Sequence, residues 1–320
     1  MTARDPRFAA TLRGAVTGEV REQEPLARYS TYRIGGPATI AFPATPDEVA
    51  TLIRGAERAG VPWFALGLGS NVLLPDAGVD ALVIRLGKGL DAAVEESGGR
   101  WRLGAGLPAP LAARRTAGSG YGGIHRMVGV PGTVGGGVYM NAGCHGESWA
   151  DVVLTVTAVG AGGESRVIPR REIPFTYRHS GLEEWIVLET TVQLVPEAAE
   201  RLTGEVNDLF RWRQQGTPFN QPCCGSVFRN PAAEPGAGEG HARTAGQLIE
   251  AAGLKGFTVG GAEVSPKHAN YIVNTGNASA ADVLAVIGHV RHTVRERFGV
   301  RLGLEVKVIG SDGRIVPDQS

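Results

Sequence analysis

The chain has 320 residues, 42% of them hydrophobic and 20% charged, a composition that fits two or three folded domains and excludes a disordered protein. Lysine plus arginine and aspartate plus glutamate both number 32, so no net field is present to hold a nucleic-acid backbone or an anionic membrane, and any phosphate recognition must be local. Three cysteines, two of them adjacent, argue against a disulfide scaffold; with a charged N-terminal segment and no long apolar run, the expectation is a cytoplasmic protein without membrane insertion.

After a short N-terminal helix, residues 39–43 read as a strand, 46–59 as a helix with Thr45 or Asp47 near its cap, and 63–66 as a strand running into Gly67. Strands near 81–86 and 100–104, a helix through 109–117 and strands near 152–159, 164–168 and 185–194 continue a mixed α+β pattern. Beyond Pro196 come a helix near 198–214, a loop at 217–225, a glycine-rich stretch at 232–240 that reads as mobile, and a helix at 245–252. A strand at 270–273, a helix at 279–298 and a terminal strand at 302–309 close the chain, and a domain boundary is expected near residue 200.

Of the chemistry-bearing patterns, several fail on context. The spacing G-x-G-x-x-G occurs at Gly118, Gly120 and Gly123, but it follows a helical run and opens no helix, which a Rossmann turn requires. His145, Glu147, Pro222 and Cys223 echo a zinc deaminase, yet the position of the last thiolate is Ser226, so no metal site is expected. P-loop, H-E-x-x-H and G-x-S-x-G elements are absent. Two glycine-rich segments remain. In Gly67-Leu68-Gly69-Ser70-Asn71 a strand feeds a turn whose successive N–H groups can cradle a pyrophosphate, with Ser70 and Asn71 adding donors. The segment from Gly129 to Gly143, with Pro131, Gly132, Thr133, Gly135, Gly136 and Asn141, repeats that chemistry. Two such segments point to a dinucleotide.

Tyr29-Ser30-Thr31-Tyr32-Arg33-Ile34-Gly35-Gly36, the two glycine segments and Phe175-Thr176-Tyr177-Arg178-His179-Ser180 occur in that order. Gly225-Ser226-Val227-Phe228-Arg229-Asn230-Pro231, Ala245-Gly246-Gln247-Leu248-Ile249-Glu250, Val264-Ser265-Pro266-Lys267-His268-Ala269-Asn270 and Leu304-Glu305-Val306 follow. Together the eight motifs resemble the UDP-N-acetylenolpyruvoylglucosamine reductases, also called UDP-N-acetylmuramate dehydrogenases, over about residues 26–310. The resemblance implies an α+β protein with a two-lobed FAD-binding region of the vanillyl-alcohol-oxidase type at 26–198 (lobes 26–85 and 86–198). It also implies a C-terminal α+β substrate domain at 199–312, an N-terminal extension at 1–25 and a tail at 313–320. The tyrosine-bearing insertion of one subgroup has no counterpart, so the chain resembles the shorter subgroup. Two departures stand out: the usual Gln-Pro of the substrate loop is Thr217-Pro218, and of the paired acidic positions in the terminal strand only Glu305 is acidic, the other being Gly303.

The family's activity is reduction of UDP-N-acetylglucosamine enolpyruvate to UDP-N-acetylmuramate in peptidoglycan precursor synthesis, with noncovalent FAD as cofactor and NADPH as co-substrate. The implied FAD contacts are Arg33, Ile34, the turn Gly67 to Asn71, and Pro131, Gly132, Thr133, Gly135, Gly136, Asn141 and Gly143 in the second segment. Arg178 and Glu305 would bind and polarise the substrate carboxylate, Glu305 being protonated or hydrogen-bonded, while Ser226 donates a proton. Tyr177, Arg213, Asn230, Lys267 and His268 are the further substrate-binding candidates, because a pyrophosphate bound to a neutral protein needs local donors and cations. Read without the family, each catalytic candidate is unremarkable: a surface arginine, a turn serine and a solvent-facing glutamate. The competing expectations are another FAD-dependent oxidase or dehydrogenase of the same fold, acting on a sugar or alcohol, and a binding module that has lost its chemistry.

Overall fold

Thr45, rather than Asp47, caps the first long helix, Pro46–Arg58: its hydroxyl accepts from the Glu48 N–H, and Pro46, Asp47 and Glu48 fill the first turn. Val49, Ala50, Leu52, Ile53 and Ala56 recur at helical spacing and form its buried face. This helix connects Pro37–Phe42 to Trp63–Leu66, and both strands pair in parallel with Leu82–Arg85 between them. Glu19–Pro25 completes this four-stranded sheet beyond Pro37–Phe42. Three glutamates and a proline among its seven residues give it low strand propensity, which is why it was not expected.

A second sheet has five antiparallel strands in the order Ser165–Pro169, Val153–Val159, Ile186–Gln193, Arg100–Gly104, Ala93–Glu95. The helix Val134–Tyr139, hidden in the glycine-rich segment and absent from the sequence expectation, contacts Ile186–Gln193. The α+β reading holds.

The computed structural model describes residues 1–232 and 243–318; of the glycine-rich stretch 232–240, only Ala232 lies among them. It separates into two compact units. The first joins Met1–Glu24, Ala38–Leu68 and Asp80–Arg213 around a core containing Phe8, Leu52, Ile84, Trp149 and Val156. The second joins Pro25–Pro37, Gly69–Val79 and the chain from Gln214 onward. It is cut differently from the boundary expected near residue 200, because Tyr32, Ile34 and Leu73 are packed into a core with Phe228, Leu248, Ile272 and Val290. Its three-stranded sheet is Thr258–Val259, Ala262–Val264 and Ile272–Asn274, and its long helix, Ala280–Phe298, is opened by a Ser279–Asp282 capping box. The expected strand 302–309 shrinks to Lys307–Val308, parallel to Val72–Leu73, with an isolated bridge between Leu304 and Phe228. Among the described residues no helix is long and apolar enough to cross a membrane.

Candidate functional site

The two glycine segments, alike in sequence, differ in what they leave unbonded. In the turn Gly67 to Asn71, no backbone N–H donates a hydrogen bond to the described residues, which leaves five successive donors for an anion. The unit boundary falls inside this turn, after Leu68. In the second segment the N–H groups of Val134, Gly135, Gly136 and Gly137 are consumed by Leu107, Ala105, the Thr133 hydroxyl and the Thr133 carbonyl. There Gly132 and Thr133 keep N–H groups for which no acceptor is found among the described residues. Gly135 is a packing glycine: a Cβ on it would lie 2.8 Å from the Ala105 Cβ, whereas one on exposed Gly136 would meet only the Thr133 hydroxyl, at 3.6 Å.

In the first unit, the second glycine segment and the turn around Arg178 are stitched together. The Asn141 side chain donates to the Thr176 carbonyl at 2.9 Å and accepts from the Ala150 N–H at 2.9 Å, so its amide serves the protein at both ends. Buried Ser180 donates to the Tyr139 carbonyl at 2.7 Å, and Arg178 Nη2 donates to the Gly143 carbonyl at 3.0 Å. Arg178 itself sits at φ 57°, in the left-handed region that non-glycine residues rarely adopt outside constrained sites, and its guanidinium lies over the exposed Tyr177 ring. Burial pushes the nearby Cys144 thiol up to about 11, against the pull of the Arg213 and Arg178 guanidiniums, so both cations bear on one spot of this unit.

In the second unit, Ser226 and Glu305 occupy adjoining segments. The Glu305 N–H donates to the Val227 carbonyl at 2.8 Å, and Arg229 N–H donates to the Gly303 carbonyl at 2.9 Å. Asn71 joins them: its side chain donates to the Glu305 carbonyl at 3.2 Å and its own carbonyl accepts from Lys307 N–H at 3.0 Å. Gly225, at φ +79°, lies beside the Ser70 carbonyl, where a Cβ would make only an ordinary contact of 4.0 Å, so it is the backbone conformation that favours glycine there. The Gly69 to Asn71 part of the turn, the serine and the glutamate therefore converge within one compact unit, though they are far apart in sequence. Cys224 is buried and its thiol is held well above the usual range by that burial, with Cys223 and Glu305 adding to it, so it is an inert packing group.

The remaining candidates divide. Ile34 is buried in the core of the second unit, and Arg33, exposed, takes a left-handed φ of 56°. Asn230 caps the helix Ala245–Ala251 by accepting from Ala245 N–H at 3.0 Å, and exposed Lys267 donates to the Gln214 carbonyl at 2.8 Å. His268 Nδ1 accepts from Asn270 N–H at 3.2 Å. Ser180 and Asn270, both buried and both inside recognised motifs, were missed; the available signal was a polar residue within an otherwise core-forming run.

Comparison with known proteins identifies the family. Residues 37–168 match the FAD binding domain, and residues 217–309 match the C-terminal domain of UDP-N-acetylenolpyruvoylglucosamine reductase. The chain is 37% identical over 305 residues to the UDP-N-acetylenolpyruvoylglucosamine reductase of Bacillus velezensis, covering 94% of this chain and 97% of the relative. It is 40% identical over 300 residues to that of Heliobacterium modesticaldum, covering 92% of each. The crystal structure of UDP-N-acetylenolpyruvylglucosamine reductase from Thermus caldophilus superposes with a TM-score of 0.76 at 32% identity, over 91% of this chain and 99% of that one. The chain belongs to the UDP-N-acetylenolpyruvoylglucosamine reductase family.

Proposed function

We propose that this protein is a cytoplasmic enzyme that reduces UDP-N-acetylglucosamine enolpyruvate to UDP-N-acetylmuramate, with noncovalent FAD as cofactor and NADPH as reductant. The observation that carries the reading is the convergence, in the second unit, of Ser226, Glu305 and the unbonded N–H groups of the Gly69 to Asn71 turn. The chain's residues fit FAD. In the first unit the N–H groups of Gly67, Leu68, Gly132 and Thr133, and in the second those of Gly69, Ser70 and Asn71, bond to none of the described residues, and a pyrophosphate needs such donors. FAD, when bound, carries hydride from NADPH to the methylene carbon of the enolpyruvyl group.

What the protein must then do is stabilise and quench a carbanion. Hydride addition leaves negative charge on the neighbouring carbon, delocalised into the attached carboxylate. Arg178, with a planar fork of donors, holds that carboxylate and lowers the energy of the charge developing on it. Glu305, carrying a proton, would donate a hydrogen bond to that carboxylate. The Ser226 hydroxyl gives its proton to the carbon and is reprotonated from solvent. Tyr177 and Arg213 in the first unit, and Asn230, Lys267 and His268 in the second, are each a candidate donor or charge partner for the substrate.

The test is spectroscopic. The purified protein should be yellow, bleach on anaerobic addition of NADPH, and recover its colour when the enolpyruvyl substrate is added. Ser226→Ala should bleach normally yet recover about 10²–10⁴-fold more slowly, the loss expected for a positioned acid. Recovery at the wild-type rate with product formed would remove Ser226 from the chemistry, and a wild-type protein indifferent to the substrate would overturn the function.

A further inference from the structure

Asn270 is buried, 5% exposed, beside the Val227–Phe228 backbone on the edge away from its bridge to Leu304. Its backbone carbonyl accepts from Val227 N–H at 2.9 Å. Its side-chain oxygen accepts from Phe228 N–H at 3.0 Å, and its side-chain nitrogen donates to the Phe228 carbonyl at 2.8 Å. A primary amide presents one acceptor and one donor in a plane, the same pair a peptide group offers a neighbouring strand. The other edge of the segment is held by Glu305 and Gly303, so the backbone on the C-terminal side of Ser226 is clamped on two sides. The Asn270 N–H goes to His268 Nδ1 at 3.2 Å, and because that nitrogen accepts, the neutral ring carries its proton on Nε2.

We infer that Asn270 is a positioning residue for the reaction: its side-chain amide substitutes for a strand partner and fixes the segment that bears Ser226, while its N–H sets the tautomer of His268. The inference rests on the reading of Ser226 as proton donor. Ser226 can protonate a carbon only if its oxygen stays within hydrogen-bond reach of it. Gly225, at φ +79°, gives the segment a flexible residue on its N-terminal side, so the stiffness must come from Val227 and Phe228. Asn270 supplies it.

Two near-isosteric variants separate bracing from packing. Asn270→Leu retains volume and removes both side-chain bonds. Asn270→Asp retains the acceptor, but its carboxylate sets a lone pair against the Phe228 carbonyl until it is protonated, when the donor returns. In the holoenzyme, NADPH-driven bleaching should be unchanged in both variants. Recovery of colour with the enolpyruvyl substrate should slow by about 10²-fold in Asn270→Leu, the loss expected for misplacement by about 1 Å. For Asn270→Asp, the ratio of its recovery rate to wild type should rise as pH falls; His268, the titratable side chain bonded to residue 270, feels the added carboxylate, so its own titration is followed by NMR in both proteins and the rise in the ratio must track the carboxyl group instead. Hydrogen–deuterium exchange at the Val227 and Phe228 amides should quicken at least tenfold in Asn270→Leu. Wild-type recovery in both variants, equal loss in both half-reactions, a ratio independent of pH, or unchanged exchange would each overturn the inference. If the wild-type protein does not react with the substrate, the functional reading falls, and the exchange measurement still decides whether Asn270 braces the segment.

Discussion

Gly135 and Gly136 are neighbours in one run of glycines with opposite tasks. A side chain at Gly135 would drive into Ala105, whose carbonyl also accepts the Gly135 N–H, while Gly136 faces outward. Gly135→Val should therefore destabilise the fold by about 1–3 kcal/mol, the range for overpacking, seen as a lower Tm. Gly136→Leu should stay within about 0.5 kcal/mol of wild type, as surface changes do, and yet purify with less flavin if this face lies against the cofactor. Gly69 behaves like Gly135: at φ +63°, with a Cβ that would come within 2.1 Å of the Tyr29 carbonyl, it cannot test cofactor binding without unfolding its own turn. Composition marked all these glycines equally, because nothing in a run of identical residues records which N–H groups the fold will consume. Arg178 was legible only through its motif. Its left-handed φ and its bond to Gly143 depend on contacts remote in sequence. Arg178→Ala should slow substrate reduction by about 10²–10³-fold, the cost of removing one preorganised donor, and leave bleaching by NADPH near normal in a stopped-flow trace. Arg178→Lys should recover only part of the loss, since an ammonium cannot reproduce a two-pronged fork.

At the scale of elements, the corner that starts the first long helix hangs on one carboxylate. Glu48 accepts from Thr17 N–H at 2.7 Å, from Ala44 N–H at 2.7 Å and from Gly18 N–H at 3.2 Å. Burial disfavours its charge, but the hydrogen bonds from Thr17, Ala44 and Gly18 outweigh burial and hold the carboxyl below the usual glutamate range. A folded-state value below the unfolded one contributes stability above the unfolded value, lost as pH falls through the folded one. Glu48→Gln should consequently lower stability by about 1–3 kcal/mol at neutral pH, as expected for charged hydrogen bonds, and flatten the acid limb of a denaturant-midpoint series below the ordinary glutamate range. The amphipathic helices were legible in the sequence because their periodicity and caps are local. Glu19–Pro25 and Ala93–Glu95 were not, since each takes its strand conformation from a neighbour in the sheet, and the helix Val134–Tyr139 was masked by glycines that fit a loop as readily.

For the molecule as a whole, the motifs made the family and the α+β class readable, whereas the way the chain is divided was not. A linear boundary near residue 200 follows naturally from composition, but Tyr32, Ile34 and Leu73 have their packing partners between Cys224 and Val306. Hydrophobic contacts of that separation leave no local pattern. The same division governs events during synthesis. Residues needed for the second core emerge from the ribosome among the first, and must wait, unburied, for nearly the last; a chain translated in order has no route to that core until the helix Ala280–Phe298 is out. A fragment ending at Arg213 should therefore keep its own core yet bind the dye ANS and sediment as aggregates, and a fragment monomeric and dye-silent would contradict this. Nonsense mutations late in the coding sequence should accordingly act as nulls, because the end of the chain shelters what its beginning exposes.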